Sequence, residues 1–491
     1  MQNVLLWLFF TPLLMSMLIL VVPACSNFLK AVAFFLSLTP LFLLLTHHVT
    51  LLGSEFNHSW LPALSINFHL QIDELSLVFL YLSAVIVPLS IVAINTAVIT
   101  RPKVFYFLVF ILQALLVAFF TTKDLAFFTI CWEAMLLPLY FIILLWGSDG
   151  RQAAALKFLV YMIAGSALMV VAVLALYFGL MSTSGSSSFN LDDLQKVALS
   201  APYAPWILAI FLLAFAVKTP LFPFHAWLPD TYFQASTSGT ILLSGILSKA
   251  GIYGIIRICF ALFPLLMQQW SPYLLALAIA GVFYGAFAAW QENNFKRLLS
   301  YSSFSHVNFI LVGLFVWQQN AHSGAILQAL NHGVTIAALF LVAGWLQERL
   351  GSTLMSSAGG LAATFPKLCW LTLFFVCSSV ALPGTNNFIG EFLIFNGLFA
   401  QYPFIAAILA LSVVFSAVYM LRLMKKAYFG PLNPGIKFQK DLSSGDLIIG
   451  FTLAAIISWV GIYPAVVLSY VQPAAQKTAV AAHATIQDRP L

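Results

Sequence analysis

Apolar stretches of about 20 residues recur along this chain, and a run of that length is what a helix needs to cross the hydrocarbon core of a bilayer. Counting them over 491 residues gives fourteen, near 3–22, 29–52, 75–99, 104–121, 124–146, 153–182, 204–221, 234–262, 271–290, 299–317, 323–347, 367–399, 402–428 and 446–470. No other feature constrains the fold as strongly. The expectation is an all-α membrane protein, because only a helix or a closed barrel pairs its own backbone groups inside lipid. Composition agrees: 7% of residues are charged and 62% hydrophobic, whereas a water-soluble domain carries about a quarter charged residues. The longest polar interruptions, 53–70, 183–203 and 429–445, are too short to bury a core and leave room only for amphipathic or hairpin elements at the membrane surface. Residues 1–491 therefore read as one polytopic domain. The first run, Val4 to Val22, is longer than the apolar core of a signal peptide and has no basic residue before it, so it is taken as the first span.

The formal charge is +6, but the 21 Lys and Arg form no run that tracks a phosphate backbone, so nucleic acid is not an expected partner. Their placement instead orients the chain, since Lys and Arg in short loops stay on the cytoplasmic side. With the N-terminus outside, Lys30, Arg101, Lys103, Arg151, Lys157, Lys296, Arg297, Arg349, Lys367, Arg422, Lys425, Lys426, Lys437 and Lys440 all fall inside. Lys123, Lys196, Arg257, Lys477 and Arg489 fall at or toward the other side, and Lys218 and Lys249 lie within spans. Both termini are thereby expected on the outer face of a cell's inner (plasma) membrane. The five cysteines, Cys25, Cys131, Cys259, Cys369 and Cys377, lie in or beside apolar segments without metal or redox spacing, and read as buried thiols.

Two spans are interrupted in the same manner. Span seven runs Phe215-Ala216-Val217-Lys218-Thr219-Pro220 with Pro223 following, and span twelve runs Val380-Ala381-Leu382-Pro383-Gly384-Thr385-Asn386-Asn387 before resuming at Phe388. Pro and Gly break the backbone ladder, which survives at membrane depth only where protein or water satisfies the freed groups. The two breaks lie five spans apart. An odd separation makes equivalent helices antiparallel, so spans 104–262 and 271–428 are expected to be two inverted five-helix repeats with the working site at discontinuous helices seven and twelve.

Ionisable residues inside spans are costly and mark functional sites. Glu133, Lys218, Lys249 and Glu391 are the four candidates, each near a break or a span centre. Burial disfavours the charged form of either residue type while an opposite charge restores it, so a Glu–Lys couple can hand on a proton as the pair forms or separates. The competing reading is a static ion pair that holds helices together. His225, His306 and His332 are a second tier, because imidazole exchanges protons near neutral pH, although a lone apolar-face His is as often a hydrogen-bonded core residue. His47, His48, His58, His69, His322 and His483 read as ordinary loop or helix-end residues. The chain has no Gly-rich phosphate loop, dinucleotide fingerprint, CxxC, HExxH or nucleophile elbow. No cofactor or metal is therefore expected in this chain, and any energy source is expected in partner subunits.

At these residues the sequence resembles the antiporter-like membrane subunits of NADH:quinone oxidoreductase (complex I), most closely the chain M branch, counterpart of mitochondrial subunit four. The resemblance covers about residues 65 to 470. It is carried by Phe215-Ala216-Val217-Lys218-Thr219-Pro220-Leu221-Phe222-Pro223-Phe224-His225-Ala226-Trp227-Leu228-Pro229-Asp230, by Trp132-Glu133-Ala134-Met135, by Lys296 through His306, and by Pro383-Gly384-Thr385 with Gly390-Glu391-Phe392. It implies fourteen core helices and a proton route in which Glu133 pairs with Lys218, Lys249 is the central relay and Glu391 ends the channel. His306 and His332 would bridge the half-channels, with His225 and Asp230 in support. It also implies partners, namely other membrane subunits including neighbouring antiporter-like ones, while quinone, FMN and iron–sulfur clusters belong to those partners. One departure is that Tyr232 and Gln234-Ala235-Ser236-Thr237 stand where most relatives read His and Ala-Pro-Thr, which leaves the break in span eight open. The rival functions are a subunit of a multi-subunit sodium/proton antiporter or membrane-bound hydrogenase, and a structural spacer.

Overall fold

The computed structural model describes residues 2–23, 26–96, 99–185, 187–198, 202–433 and 440–487. Cys25, Lys437 and Arg489 and the side chain of His483, with what the sequence suggests of them, lie outside the described residues. Among the described residues, twelve helices are long and apolar enough to cross a membrane, and two shorter apolar helices, Ala204–Lys218 and Pro366–Ser379, belong to the interrupted spans. These helices lie within the apolar runs read from the sequence, with ends displaced by several residues.

Burial sorts the helices into an inner and an outer set. Glu74–Val92, Thr237–Phe260, Phe295–Phe315 and Gln319–Leu350 are almost wholly enclosed by protein, whereas Val4–Val21, Asn27–Leu51, Pro403–Tyr428 and Ser444–Ile462 leave most of their surface outward. The outer helices present Phe10, Phe35, Phe404 and Ile462, an apolar surface suited to lipid tails. We call Thr237–Phe260 the central helix and Gln319–Leu350 the long helix. Together they form the middle of the molecule, packed on each other and on Glu74–Val92.

Span seven runs as a helix from Ala204 to Lys218, loses regular helix through Thr219–Trp227, and resumes at Leu228–Gln234. Span twelve likewise splits into Pro366–Ser379 and Asn386–Gln401, with Ala381 and Gly384 at positive φ between them. The central helix does not unwind. It stays continuous but carries two π-helical stretches, Leu243–Leu247 and Ile255–Phe260, and it is separated from Gln234 only by Ala235 and Ser236. This resolves the point that the missing proline had left open.

The last apolar run is corrected by the structure. It does not extend from 446 to 470 as one span: Ser444–Ile462 ends before Pro464, and a further helix, Ala465–Gln487, packs against the long helix and Glu74–Val92. Proline cannot continue the preceding helix's hydrogen-bond ladder, so it sets the corner there. The interruptions 53–70 and 183–203 do hold the expected surface elements. Glu55–Leu61 pairs antiparallel with Ile66–Gln71, and Leu191–Ala198 forms a short helix beside them through contacts of Asn190 and Asp124.

Many of the basic side chains make their contacts at one end, while Arg257, Lys196 and Lys477 pair with carboxylates at the other. Lys30 reaches the Ile94 carbonyl, Lys103 reaches Leu20, Lys157 and Arg297 hold Asp230, and Arg422 with Lys426 holds Asn293. The hairpin lies with Lys123 and Asn190 at the opposite end. Cys131, Cys259 and Cys369 are buried and free, and Cys377 is half-buried.

Candidate functional site

Polar residues satisfy the backbone groups that each break exposes. At the first break, the Asn308 amide donates from Nδ2 to the Pro220 carbonyl at 3.2 Å and accepts from the Phe222 N–H at 3.3 Å, while Trp227 Nε1 donates to the Val217 carbonyl at 2.9 Å. At the second, Asn331 and Asn386 exchange side-chain-to-carbonyl bonds of 2.7 and 3.1 Å, and Asn387 Nδ2 donates to Ser378 O at 3.0 Å. Unpaired backbone groups are not tolerated in a lipid-depth interior, so these asparagines make the interruptions possible.

The first break places Lys218 at 1% exposure. Its Nζ donates to the Trp132 carbonyl at 3.0 Å and lies 3.6 Å above the centroid of the Trp132 ring. Both contacts favour an ammonium in a buried site. Glu133 is the carboxylate whose charge acts on Lys218, but no ion pair within 4.0 Å joins the two among the described residues. The Glu133 side chain instead lies on the outer surface of the chain beside exposed Ile130 and Leu137.

Lys249 lies one helix further inward and is fully buried. Its Nζ donates to the carbonyl of Ser244, five residues earlier, within the first π-helical stretch. Widening the turn there lets a side chain reach a carbonyl of its own helix. The central helix touches the first break closely: a Cβ on Gly251 would strike the Thr219 side chain and come within 2.9 Å of its backbone nitrogen. Close approach of the other kind occurs at Gly333, where a Cβ would meet the Gly245 carbonyl at 2.8 Å. That second contact brings the neighbouring His332 of the long helix against the central helix.

The electrostatic neighbours of His332 are Lys249 and His306. The His306 and His332 rings stack with centroids 5.5 Å apart. His306 Nδ1 then lies 3.3 Å from Glu391 Oε1, and Gln328 Nε2 donates to the same oxygen at 3.3 Å. Glu391 is 6% exposed. Ser244 Oγ, both His332 nitrogens, His306 Nε2, Gln328 Oε1 and Ser416 Oγ are buried with no protein partner. Buried polar atoms of this kind are normally satisfied by ordered water, so Lys249, His332, His306 and Glu391 form a polar line between the two breaks.

The supporting candidates divide. Asp230 sits apart from the line, bound by Lys157 at 2.7 Å and Arg297 at 3.3 Å in a network that Glu292 extends. His225 lies at the first break among Phe222, Tyr284 and Phe304, with Nδ1 unpartnered. Two residues read as ordinary from sequence are buried: His322 Nε2 binds the Leu314 carbonyl at 2.9 Å, and His69 Nε2 lies 2.6 Å from Glu55 Oε1. Asn308, Gln328 and Lys296 were missed as site residues; their burial beside the breaks or the polar line is visible only once helices are paired. Among the described residues, no group of three or more His, Cys, Asp and Glu could hold a metal ion.

Residues 122–416 match the family described as NADH:quinone oxidoreductase/Mrp antiporter, transmembrane. The chain is 38% identical over 421 residues to NADH-quinone oxidoreductase subunit M of Pseudomonas aeruginosa, covering 84% of this chain and 82% of that one. It is 36% identical over 422 residues to subunit M of Escherichia coli, with 84% and 83% covered. Among solved structures, a chain of respiratory complex I from Thermus thermophilus with bound NADH superposes with a TM-score of 0.88 at 30% identity, covering 97% of this chain and 99% of that chain. A chain of the Mrp complex from Dietzia sp. gives 0.86 at 19% identity, with 98% of each covered, which is a likeness of fold.

Proposed function

The chain belongs to the NADH:quinone oxidoreductase/Mrp antiporter family, and we propose that it is the subunit M-type proton-translocating member of a membrane-bound NADH:quinone oxidoreductase. The observation that carries this reading is the set of buried ionisable groups that lies between two interrupted helices, Lys218 and Lys249 on one side and His332, His306 and Glu391 on the other, with His306 in contact with both His332 and Glu391. Static ion pairs would join opposite charges directly. Here Lys218 and Lys249 rest on carbonyls, with no carboxylate in ion-pair contact with either among the described residues.

The reaction is vectorial transfer of a proton, with no bond other than N–H and O–H bonds made or broken. A proton taken from the cytoplasmic side resides on Lys249, passes by water to His332 and His306, and leaves from Glu391 to the outer side. Lys218 sets the field at Lys249: as it is drawn toward Glu133, positive charge near the centre falls, and as it returns, the proton on Lys249 is driven onward. Glu133 stands on the outer face of the chain, where a bare carboxylate against lipid is costly. That face is therefore the seat of a neighbouring membrane subunit, through which redox chemistry elsewhere reaches Lys218. Quinone, FMN and iron–sulfur clusters belong to those partners. Spans 104–262 and 271–428 act as two inverted five-helix units, each supplying one broken helix, and both termini face the outer side of the inner membrane.

The decisive test uses the intact complex in sealed inverted vesicles. Lys249→Ala should abolish proton uptake while the subunit remains assembled, and parental uptake by an assembled Lys249→Ala complex would refute the relay. NADH-dependent quinone reduction by the purified complex separates this reading from that of a cation/proton antiporter without redox partners.

A further inference from the structure

Beyond Lys249 on the central helix stands Arg257, inside the second π-helical stretch, Ile255–Phe260. At 1.5 Å per residue it lies about 12 Å from Lys249 along the helix axis, on the way to the end of the molecule that carries Lys123. A proton on Lys249 that moved straight along its own helix in this direction would bypass His332, His306 and Glu391 altogether.

The structure fills that short way in two layers. Nearer Lys249, the fully buried Tyr253 packs its ring against Phe79, Phe119 and Phe120 at centroid distances of 5.3, 5.5 and 5.0 Å, and its hydroxyl donates to the Phe120 carbonyl at 2.8 Å. Next comes Arg257, whose side chain is 11% exposed. Its Nη1 and Nη2 donate to the two carboxylate oxygens of Asp73 at 2.6 and 2.7 Å, Nη2 also donates to Ser76 Oγ at 2.9 Å, and Nε donates to the Tyr253 hydroxyl oxygen at 3.0 Å. Every guanidinium nitrogen is thus held by protein. Past Arg257, a cavity of about 110 Å³ lined by Glu74, Ile256, Ala474 and Lys477 lies at the helix end, where Lys477 Nζ meets Glu74 Oε2 at 2.7 Å. A guanidinium carries donors only, accepts no hydrogen bond and keeps its proton in folded proteins. A proton cannot be handed through such a group, and its fixed positive charge repels one that approaches, as an arginine does in a pore that excludes protons. An ion pair that only joined Glu74–Val92 to the central helix would not need its guanidinium turned onto the tyrosine that faces Lys249 along the chain.

We propose that Arg257, clamped by Asp73 and backed by the aromatic collar around Tyr253, is a proton plug that shuts the direct way between Lys249 and this end of the molecule, so that protons on Lys249 pass only by His332, His306 and Glu391. This rests on the reading that the chain translocates protons and that this end is the outer one. Without the plug, the gradient that the complex builds would drive protons from the outer side back onto Lys249. Arg257 acts as a barrier and as nothing else: no bond to hydrogen forms or breaks there.

The test uses the assembled complex in sealed inverted vesicles with an acidic interior and no NADH, and follows the decay of the pH gradient. Arg257→Ala leaves a gap that water can enter, and Arg257→His puts an exchangeable imidazole where the guanidinium stands. Both should dissipate the gradient about tenfold faster than the parent, the factor that one unit charge about 12 Å away is worth at the effective permittivity of a protein. Adding Lys249→Ala to either variant should return the decay to the parental rate, because the leak runs through Lys249, whereas a merely loosened helix would leak with or without that lysine. With NADH supplied, the single Arg257 variants should keep quinone reduction while net uptake per electron falls. Parental decay in both assembled Arg257 variants overturns the plug, and so does fast decay that survives Lys249→Ala. Should those variants not assemble, Arg257→Lys decides by the same two criteria, since a buried lysine, unlike an arginine, can release its proton. The relay is judged separately: Lys249→Ala alone, translocating at the parental rate, refutes it, whereas a silent Lys249→Ala beside tight Arg257 variants leaves the relay standing and removes the plug.

Discussion

His306 Nδ1 lies 3.3 Å from Glu391 Oε1 and its ring stacks on that of His332, so one imidazole joins the carboxylate of the second broken helix to the middle of the molecule. The contact links two helices that neither break alone would bring together. His306 comes from Phe295–Phe315, and Glu391 from Asn386–Gln401.

That link is open to a direct measurement. Glu391→Gln keeps the size and the hydrogen bonding of the side chain but removes its exchangeable charge, and proton uptake in inverted vesicles should fall at least about tenfold. His306→Ala should produce a loss of the same order, and the double variant should be no worse than the more severe single one, because residues acting in one series are not additive.

The asparagines at the breaks lead to a stability prediction. Asn308→Ala strips two hydrogen bonds from the first break, leaving the Pro220 carbonyl and the Phe222 N–H without that partner. Each orphaned buried group costs about 1–3 kcal/mol. The amount of assembled subunit and the melting temperature of the purified complex should both drop, and a variant indistinguishable from the parent in both would show that water replaces the amide freely.

Close helix contact makes Gly333 intolerant of size. A Cβ there would approach the Gly245 carbonyl at 2.8 Å, and backbone cannot give way as a flexible side chain can. Gly333→Leu should force the long and central helices apart and prevent assembly, whereas Gly53→Ala in a turn, where positive φ alone is the strain, should assemble at near parental levels.

At the end of the molecule that carries Lys123, Asp73 grips Arg257 through two bonds of 2.6 and 2.7 Å, and caps its helix by accepting from the Ser76 N–H. Burial works against the Asp73 charge, but Arg257 and the Ser76 bonds outweigh it and hold the carboxyl well below the usual carboxylate range. A carboxylate depressed in the folded state stabilises above its unfolded pKa of about 4, and that contribution is lost as pH falls through the lower folded value. Thermal stability of the complex should therefore decline on acidification below about pH 4, and Asp73→Asn should be less stable at neutral pH with a flatter dependence in that acid window. A wild-type curve no steeper than that of Asp73→Asn would show that the pair contributes nothing to stability.

Much of the architecture can be read from hydropathy alone, since lipid allows a backbone few ways to cross it and Pro220, Pro223, Pro383 and Gly384 announce where two crossings fail. The candidate residues Glu133, Lys218, Lys249 and Glu391 were equally legible, because charge inside a long apolar run stands out. Corner placement was less so: the stretch 446–470 is apolar enough to pass for one span, and only Pro464 hints at the turn that the fold makes there. The burial of His322, Asn308 and Lys296 had no local signal, since a polar residue near a helix end looks the same whether it meets water or another helix.

Sequence by itself determined that this chain lives in a membrane, where two helices break and which charges lie within long apolar runs, because the cost of placing polar groups in lipid acts on each segment separately. Which groups meet was decided only by tertiary structure. The stacking of His306 on His332, the resting of Lys249 on the Ser244 carbonyl and the outward turn of Glu133 depend on how helices far apart in the chain pack, and packing at this density is settled by the fit of many side chains at once.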